Sequence, residues 1–141
     1  MKYVLDSSVA FKWVVPEVHT DKAVRLRDDF RNAVHDLIAP DILPVEVAHA
    51  LTRAERQGRL TPPQAGALWR TAMQAAPRFE PYLSLLPRAI DISSQTRQGV
   101  YDSLYVALAE RDNCELVTAD DKLIKNLGPR FPFIVALASF P

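Results

Sequence analysis

The segment from Val100 to Glu110 constrains the fold more than any other part of the chain, because it has the pattern of a helix and is apolar almost all round. Such a helix belongs in the interior of a domain and not on its surface. Asp102 lies in its first turn and shares a face with Tyr105 and Ala109. Burying a carboxylate is costly unless a cation, hydrogen bonds or a metal ion compensates. Asp102 is therefore either a favourable charge at a helix N-terminus or part of a site.

Around this helix, short apolar runs alternate with helical patterns. Strands are predicted at Tyr3–Leu5, Leu37–Ala39, Glu115–Thr118 and Phe133–Val135. Helices are predicted from Val9 to Val15, from Thr20 or Asp21 to about Val34, from Asp41 to Gly58, from Thr61 to about Ala76, from Arg88 to about Gln98 and from Asp121 to Leu127. Residues 79–86, rich in proline, are predicted to be irregular, with a short strand as the alternative. This order predicts one α/β domain over residues 1–141, a three-layer α/β/α sandwich with a mostly parallel central sheet.

Composition limits the classes of function. The chain has 17 basic and 17 acidic residues, which argues against a strongly basic non-specific nucleic-acid binder but allows a basic rim around an acidic site. Its one cysteine, Cys114, has no internal disulfide partner and is predicted to be a small core residue at a helix end. No apolar run approaches the ~20 residues of a membrane span, and the apolar run before Asp6 is too short for a secretory signal. These features predict a cytoplasmic protein with no membrane segment.

Four acidic residues occupy equivalent places in the predicted fold. Asp6 and Asp120 each follow a strand and precede a helix, whereas Glu46 and Asp102 lie near the starts of helices that pack on the sheet. Ligands of open parallel sheets bind beyond the carboxyl ends of the strands, so all four carboxylates are expected to converge there. Each also has a separate interpretation: Asp6 in a turn or as a helix cap, Asp120 or Asp121 as a cap, and Glu46 paired with His49.

A divalent cation gives a reason for such convergence, because neighbouring carboxylates resist joint ionisation. Magnesium and manganese take oxygen ligands, and the chain lacks the His and Cys spacing of a zinc site. Ser8 and Thr118 are close enough in sequence to hold a metal-bound water or to orient a carboxylate. The sequence therefore predicts a Mg²⁺ or Mn²⁺ site at the sheet edge.

With these acids and their predicted settings, the sequence resembles the PIN-domain ribonucleases, specifically the VapC-like toxins of type II toxin–antitoxin pairs. The matching segments are Leu5–Val9, Pro44–Val47, Tyr101–Ala109 and Val117–Asp120. Their order, spacing and predicted setting agree with that family over nearly the whole chain, and residues 58–86 agree least. The pairing of the Tyr-Asp segment with the later Thr-x-Asp segment is the most specific part of the match.

The resemblance implies a metal-dependent endoribonuclease that leaves a 5′-phosphate and a 3′-hydroxyl. Its catalytic and metal-binding quartet would be Asp6, Glu46, Asp102 and Asp120, supported by Ser8 and Thr118. Asp102 or Asp120 would orient or deprotonate the attacking water. Candidate contacts to the flanking phosphates of RNA are Lys12, Arg53, Arg56 and Lys122, each of which also fits a solvated surface charge. The resemblance further implies a homodimer and a cognate antitoxin, with Trp69 and Met73 either at such an interface or in helix packing.

Three other classes of protein share parts of this pattern. A haloacid-dehalogenase-type phosphatase needs a second aspartate where this chain has Ser8, and a receiver domain needs an N-terminal acid pair and a late lysine that are not convincing here. The main alternative is a catalytically inactive PIN-like module that binds RNA or protein. A pure binding role gives no reason to gather four acids where RNA would lie.

Overall fold

A computed structural model describes residues 1–141. The strands are β1 (Lys2–Leu5), β2 (Asp36–Pro40), β3 (Arg78–Glu80), β4 (Glu115–Thr118) and β5 (Ile134–Ala136). The helices are α1 (Ser7–Phe11), α2 (Thr20–Arg31), α3 (Leu43–Arg56), α4 (Gln64–Met73), α5 (Leu86–Thr96), α6 (Val100–Asp112) and α7 (Asp121–Leu127). Short 3₁₀ turns cover Leu83–Leu85 and Leu137–Ser139.

The five strands form one sheet in the order β3-β2-β1-β4-β5, and every neighbouring pair is parallel. The central strands β1 and β4 pair Val4 with Leu116 and Leu5 with Val117. Parallel strands must be linked by crossovers, which places the helices on the faces of the sheet. The predicted α/β/α class with a parallel sheet is confirmed.

The helix predicted to be central, α6, is buried. All residues from Ser103 to Ala109 are buried, whereas Tyr101 and Glu110 at its ends are exposed. The Ser103 hydroxyl is satisfied within the helix by a 2.9 Å bond to the Gly99 carbonyl. The face that carries Asp102 reaches the core at Tyr105 and Ala109, but Asp102 itself lies at the half-buried start of the helix.

Two predicted segments near the site differ from the structure. The first helix was expected from Val9 to Val15, but α1 runs from Ser7 to Phe11 because the Asp6 side chain caps it and so moves its start forward. The span 79–86 contains the short strand that was the alternative, β3, at the sheet edge. Edge strands need fewer ladder hydrogen bonds, which lets so short a strand stand in a proline-rich region.

Several helix ends also differ. The second helix was expected to continue to about Val34 but ends at Arg31, because the chain takes the left-handed conformation at Ala33. The fourth begins at Gln64, whose side chain accepts from the Thr61 backbone N–H at 2.7 Å. The predicted boundaries of α4, α5 and β5 are otherwise off by one to three residues, the usual uncertainty of element ends.

The remaining predictions concern packing. Trp69 and Met73 of α4 are half-buried against the core, and the Trp69 indole N–H donates to the Pro44 carbonyl of α3 at 2.9 Å. This agrees with helix packing for both side chains.

Cys114 is a free, half-buried thiol just after α6. None of the helices combines the length and the apolar character that crossing a bilayer requires.

Candidate functional site

Asp6 stands at the carboxyl end of β1 and is fixed by two neighbours. Its Oδ2 accepts hydrogen bonds from the Ser8 hydroxyl, from the Ser8 backbone N–H at 3.3 Å and from the Thr118 hydroxyl at 2.9 Å. Ser8 and Thr118 therefore both donate to the same oxygen of the Asp6 carboxylate. Oδ1 of Asp6 accepts no hydrogen bond from the protein.

Asp120 stands at the equivalent end of β4. Its Oδ1 caps α7 by accepting from the backbone N–H groups of Lys122 and Leu123 at 3.0 and 3.3 Å, and its Oδ2 accepts none. The backbone N–H of Asp120 donates to the Thr118 hydroxyl at 3.0 Å. Asp120 thus serves as a helix cap and also lines the site. Asp121, the weaker candidate, is exposed.

Asp102 is held from the turn between α5 and α6. The side-chain amide of Gln98 donates to Asp102 Oδ2 at 2.8 Å and is itself steadied by Asn126 of α7, which donates to Gln98 Oε1 at 3.2 Å. The turn is set by Arg97, which ends α5 in the left-handed conformation. Oδ1 of Asp102 has no protein donor.

Glu46 of α3 is the least satisfied of the four acids. Its Oε1 is buried without a hydrogen-bond partner, and so is the hydroxyl of Tyr105. The Tyr105 and Ser7 hydroxyls lie close enough to affect the pKa of Glu46, although neither meets hydrogen-bond geometry with it. Glu46 forms no salt bridge with His49, which excludes the alternative of a local helix pair in this structure.

The acids lie close enough together to affect one another's pKa values. Burial and the charge of Asp102 raise the pKa of Asp6 to about 6, against the hydrogen bonds from Ser8 and Thr118, which lower it. Burial also raises the pKa of Glu46 to about 7, with added repulsion from Asp6 and Asp102. The pKa of Asp102 is raised by burial and by the charge of Asp120, against the hydrogen bond from Gln98.

The four predicted acids thus line one cleft of about 1190 Å³ at the carboxyl edge of the sheet. Three of them have one oxygen bound to the protein and one free, and the fourth has a buried oxygen with no partner. No three His, Cys, Asp or Glu side chains are already closed around a single point as metal ligands. The donor set suits a hard divalent cation, since all of its free atoms are carboxylate oxygens.

The basic side chains divide into two groups. Lys12 and Arg53, two of the candidate phosphate contacts, line the cleft together with Arg59. Arg56 points elsewhere and interacts with Thr52, and Lys122 is exposed outside the cleft lining, although its charge lowers the pKa of Asp102. Arg56 is therefore not part of the site in this structure.

Sequence reasoning missed Gln98, Arg59 and the contact of Tyr105 with Glu46. Gln98 lies four residues before Asp102, one helical turn away, which is a spacing that the sequence displays. Arg59 follows the end of α3, and its place depends on Glu17 from a distant loop. Only the tertiary structure could show that Arg59 lies in the cleft beside Glu17.

The fold and the cluster define a parallel α/β domain with an acidic site at the carboxyl ends of its strands. The chain belongs to the PIN domain family, whose model matches residues 3–128. It is 30% identical over 137 residues to ribonuclease VapC3 of Pyrobaculum aerophilum, spanning 96% of this chain and 98% of that protein. It is 36% identical over 104 residues to ribonuclease VapC1 of Mycobacterium tuberculosis, spanning 72% of this chain and 74% of that protein.

Two solved structures share the fold. The crystal structure of PAE2754 from Pyrobaculum aerophilum superposes with a TM-score of 0.69 at 20% identity and covers 99% of this chain and 94% of its own. The crystal structure of VapBC2 from Rickettsia felis, bound to a promoter DNA fragment, superposes with a TM-score of 0.60 at 15% identity. The match covers 96% of this chain and 97% of that chain. At these identities the likeness concerns the fold alone.

Proposed function

We propose that this chain is a metal-dependent endoribonuclease and the toxin of a toxin–antitoxin pair, with Asp6, Glu46, Asp102 and Asp120 as its metal-binding and catalytic acids. The observation that carries the proposal is the set of unpaired carboxylate oxygens from four separate elements in one cleft. The match to proteins named VapC ribonucleases supports the choice of RNA as substrate.

The residues fit a divalent cation, because like-charged acids raise one another's pKa values and a dication relieves that repulsion. Bound Mg²⁺ or Mn²⁺ would supply charge stabilisation at the scissile phosphate and activate a water. Asp6 and Asp120 would present their free oxygens from rigid strand ends, and Glu46 would offer its unpartnered Oε1. Asp102, with its raised pKa, would orient the attacking water and accept its proton.

The test is cleavage of labelled RNA by the purified chain. We expect cutting with Mg²⁺ or Mn²⁺ and none after excess chelator removes the ion. Undiminished cleavage in chelator would contradict the metal role. If metal binds but no RNA is cut, the inactive binding module becomes the better description.

An antitoxin partner and a homodimer belong to the same proposal. The relatives named VapC ribonucleases support the first, because the VapC-like toxins that the sequence resembles act in toxin–antitoxin pairs. Co-purification with the product of the adjoining reading frame tests it, and light scattering of the isolated chain tests the homodimer. Monomeric mass at all accessible concentrations would contradict the dimer.

A further inference from the structure

Three of the four acids share one arrangement. One oxygen of each accepts a hydrogen bond from a nearby protein donor, and the other has none: Asp6, Asp102 and Asp120. A donor of this kind fixes the orientation of a carboxylate and leaves its second oxygen for a ligand. Glu46 is the exception, because its Oε1 is buried and accepts no hydrogen bond.

An unused donor lies beside Glu46. Tyr105 of α6 is completely buried, and its hydroxyl, like Glu46 Oε1, has no hydrogen-bond partner. The two side chains lie close enough for each to affect the pKa of the other. A buried hydroxyl without a partner is uncommon in folded proteins, because it has given up its hydrogen bonds to water. Two such atoms in neighbouring side chains call for a shared explanation.

Tyr105 reaches Glu46 from behind the wall of the cleft. It does not line the cleft itself, and it follows Asp102 by three residues, about one turn further along α6. Helix α6 is buried from Ser103 to Ala109. One rigid helix thus carries Asp102 and also presents the Tyr105 hydroxyl to Glu46 of α3.

We propose that Tyr105 is a positioning residue, whose hydroxyl donates to one oxygen of Glu46 when that carboxylate binds a divalent cation and leaves the other oxygen for the ion. This inference rests on the proposed metal-dependent function and adds a residue to its site. It gives Glu46 the arrangement that the other three acids already have. Burial raises the pKa of Tyr105 well above its ordinary value, and the charges of Asp6 and Glu46 add to the rise, so the hydroxyl keeps its proton and stays a donor.

Two other groups lie near this pair. The Ser7 hydroxyl is close to both Glu46 and Tyr105, but it lines the cleft, where water can bind it. Asp6 also faces Tyr105, but its Oδ2 already accepts from two other hydroxyls. An exposed hydroxyl loses little when it has no protein partner, whereas a buried one has only protein groups to bind. Tyr105 is therefore the donor whose loss Glu46 should feel most.

Tyr105→Phe removes the hydroxyl and keeps the ring that fills the core. Mn²⁺ affinity is measured by calorimetric titration at neutral pH without RNA. We expect the affinity to fall about 10-fold or more, as when other residues that orient metal ligands are lost. Tyr3→Phe, the same change at a buried tyrosine outside the cleft, is the matched control and should bind Mn²⁺ like the parent.

Stability distinguishes positioning from packing. In chelator, Tyr105→Phe should unfold at a urea concentration no lower than the parent, because the hydroxyl that it loses has no partner in the fold. At the same Mn²⁺ concentration the parent should gain more stability than the variant, because it binds the ion more tightly. A variant that is destabilised equally in chelator and in Mn²⁺ would assign the hydroxyl to the fold alone and overturn the inference.

A double-mutant cycle tests the assignment to Glu46. Glu46→Gln alone should weaken Mn²⁺ binding, and adding Tyr105→Phe should then weaken it by less than about twofold, since the group that the hydroxyl positions is already lost. If Tyr105→Phe weakens binding to the same extent in both backgrounds, the hydroxyl acts on another acid and the inference is wrong.

The outcomes separate this inference from the proposed function. If the parent binds Mn²⁺ and cuts RNA, and Tyr105→Phe does both equally well, the positioning role is wrong and the nuclease stands. If the parent binds no Mn²⁺, the proposed metal site fails and the positioning role fails with it.

Discussion

The hydroxyl of Thr118 donates a 2.9 Å hydrogen bond to Oδ2 of Asp6 and joins the ends of two strands that are 112 positions apart in the sequence. Both residues are buried. The same hydroxyl accepts the backbone N–H of Asp120 at 3.0 Å, so a single side chain couples the acids at the ends of β1 and β4. The parallel register of β1 and β4 brings these groups together.

Replacing Thr118 with Val removes both hydrogen bonds at nearly constant shape. We expect a loss of about 1–3 kcal/mol in the free energy of unfolding, because a buried carboxylate loses a donor. Urea denaturation in chelator measures it. Thr118→Ser keeps the hydroxyl and should recover most of the loss. An equal loss in the Ser and Val variants would show that keeping the hydroxyl does not protect the fold and would contradict the role given to these hydrogen bonds.

The pH dependence of stability follows from the raised pKa values of Asp6, about 6, and Glu46, about 7, against ordinary values of 3.8 and 4.5. Because the folded chain holds these protons more tightly than the unfolded chain, their contribution is complete below about pH 4 and is lost as the pH rises to about 7. The metal-free chain should therefore lose stability, on the order of 2 kcal/mol, between about pH 5 and 7.

Chemical denaturation in chelator at a series of pH values measures this loss in the free energy of unfolding. The double variant Asp6→Asn, Glu46→Gln is the control and should flatten the decrease. Added Mg²⁺ should restore more stability at pH 7 than at pH 5, since the ion binds the ionised carboxylates. A metal-free chain whose stability rises steadily over this interval would contradict the raised pKa values.

Asp102→Asn is expected to separate function from stability. Cleavage should fall by at least about 100-fold, because the carboxylate proposed to orient the water is lost. In chelator the same variant should be as stable as the parent or more stable, because the charge of Asp102 raises the pKa values of Asp6 and Glu46. Thermal unfolding beside a cleavage assay tests both statements. A strongly destabilised variant would mean that Asp102 has a structural role.

The sequence predicted the elements that place the site but not their edges. Periodicity identified α6 as buried and the apolar runs as parallel strands, since both signals arise from burial on a regular backbone. Helix ends depend instead on single residues: the cap at Asp6 and the left-handed conformation at Ala33 moved two of them. The edge strand β3 has two exposed residues and gives almost no apolar signal.

The meeting of the four acids in one cleft could be predicted because each lies at a strand or helix end at the same edge of the sheet. Their neighbours were harder to predict. Gln98 stands four residues before Asp102, but it lies in the turn before α6, so its hydrogen bond depends on how that turn folds. Gln95, on α5, instead accepts a hydrogen bond from Arg130 at the surface. Arg59 replaces the predicted Arg56 because the chain turns at Gly58, where φ is +76°.

Gln98 should position Asp102 for metal binding. In Gln98→Leu the 2.8 Å hydrogen bond is lost, and we expect Mn²⁺ affinity to fall about 10-fold or more, as for other residues that orient ligands. Calorimetric titration with Mn²⁺ measures this without cleavage. Gln95→Leu is the matched control and should bind the ion like the parent. Equal affinity in the two variants would show that Asp102 needs no such support.

Glu17 should weaken electrostatically the attraction of Lys12 and Arg59, the two cleft-lining cations that it binds, for RNA phosphates. Burial alone would raise its pKa, but hydrogen bonds from Arg59 and Lys12 lower it overall, so it is ionised beside both cations at neutral pH. Glu17→Gln leaves the two cations without their counter-charge. We expect tighter binding of labelled RNA at low salt and little difference at high salt, because salt screens the attraction between the freed cations and the phosphates. Anisotropy at several salt concentrations tests this, with Glu55→Gln, outside the cleft lining, as control. Weaker binding at every salt concentration would instead mean that Glu17 is needed to hold Lys12 and Arg59 in position.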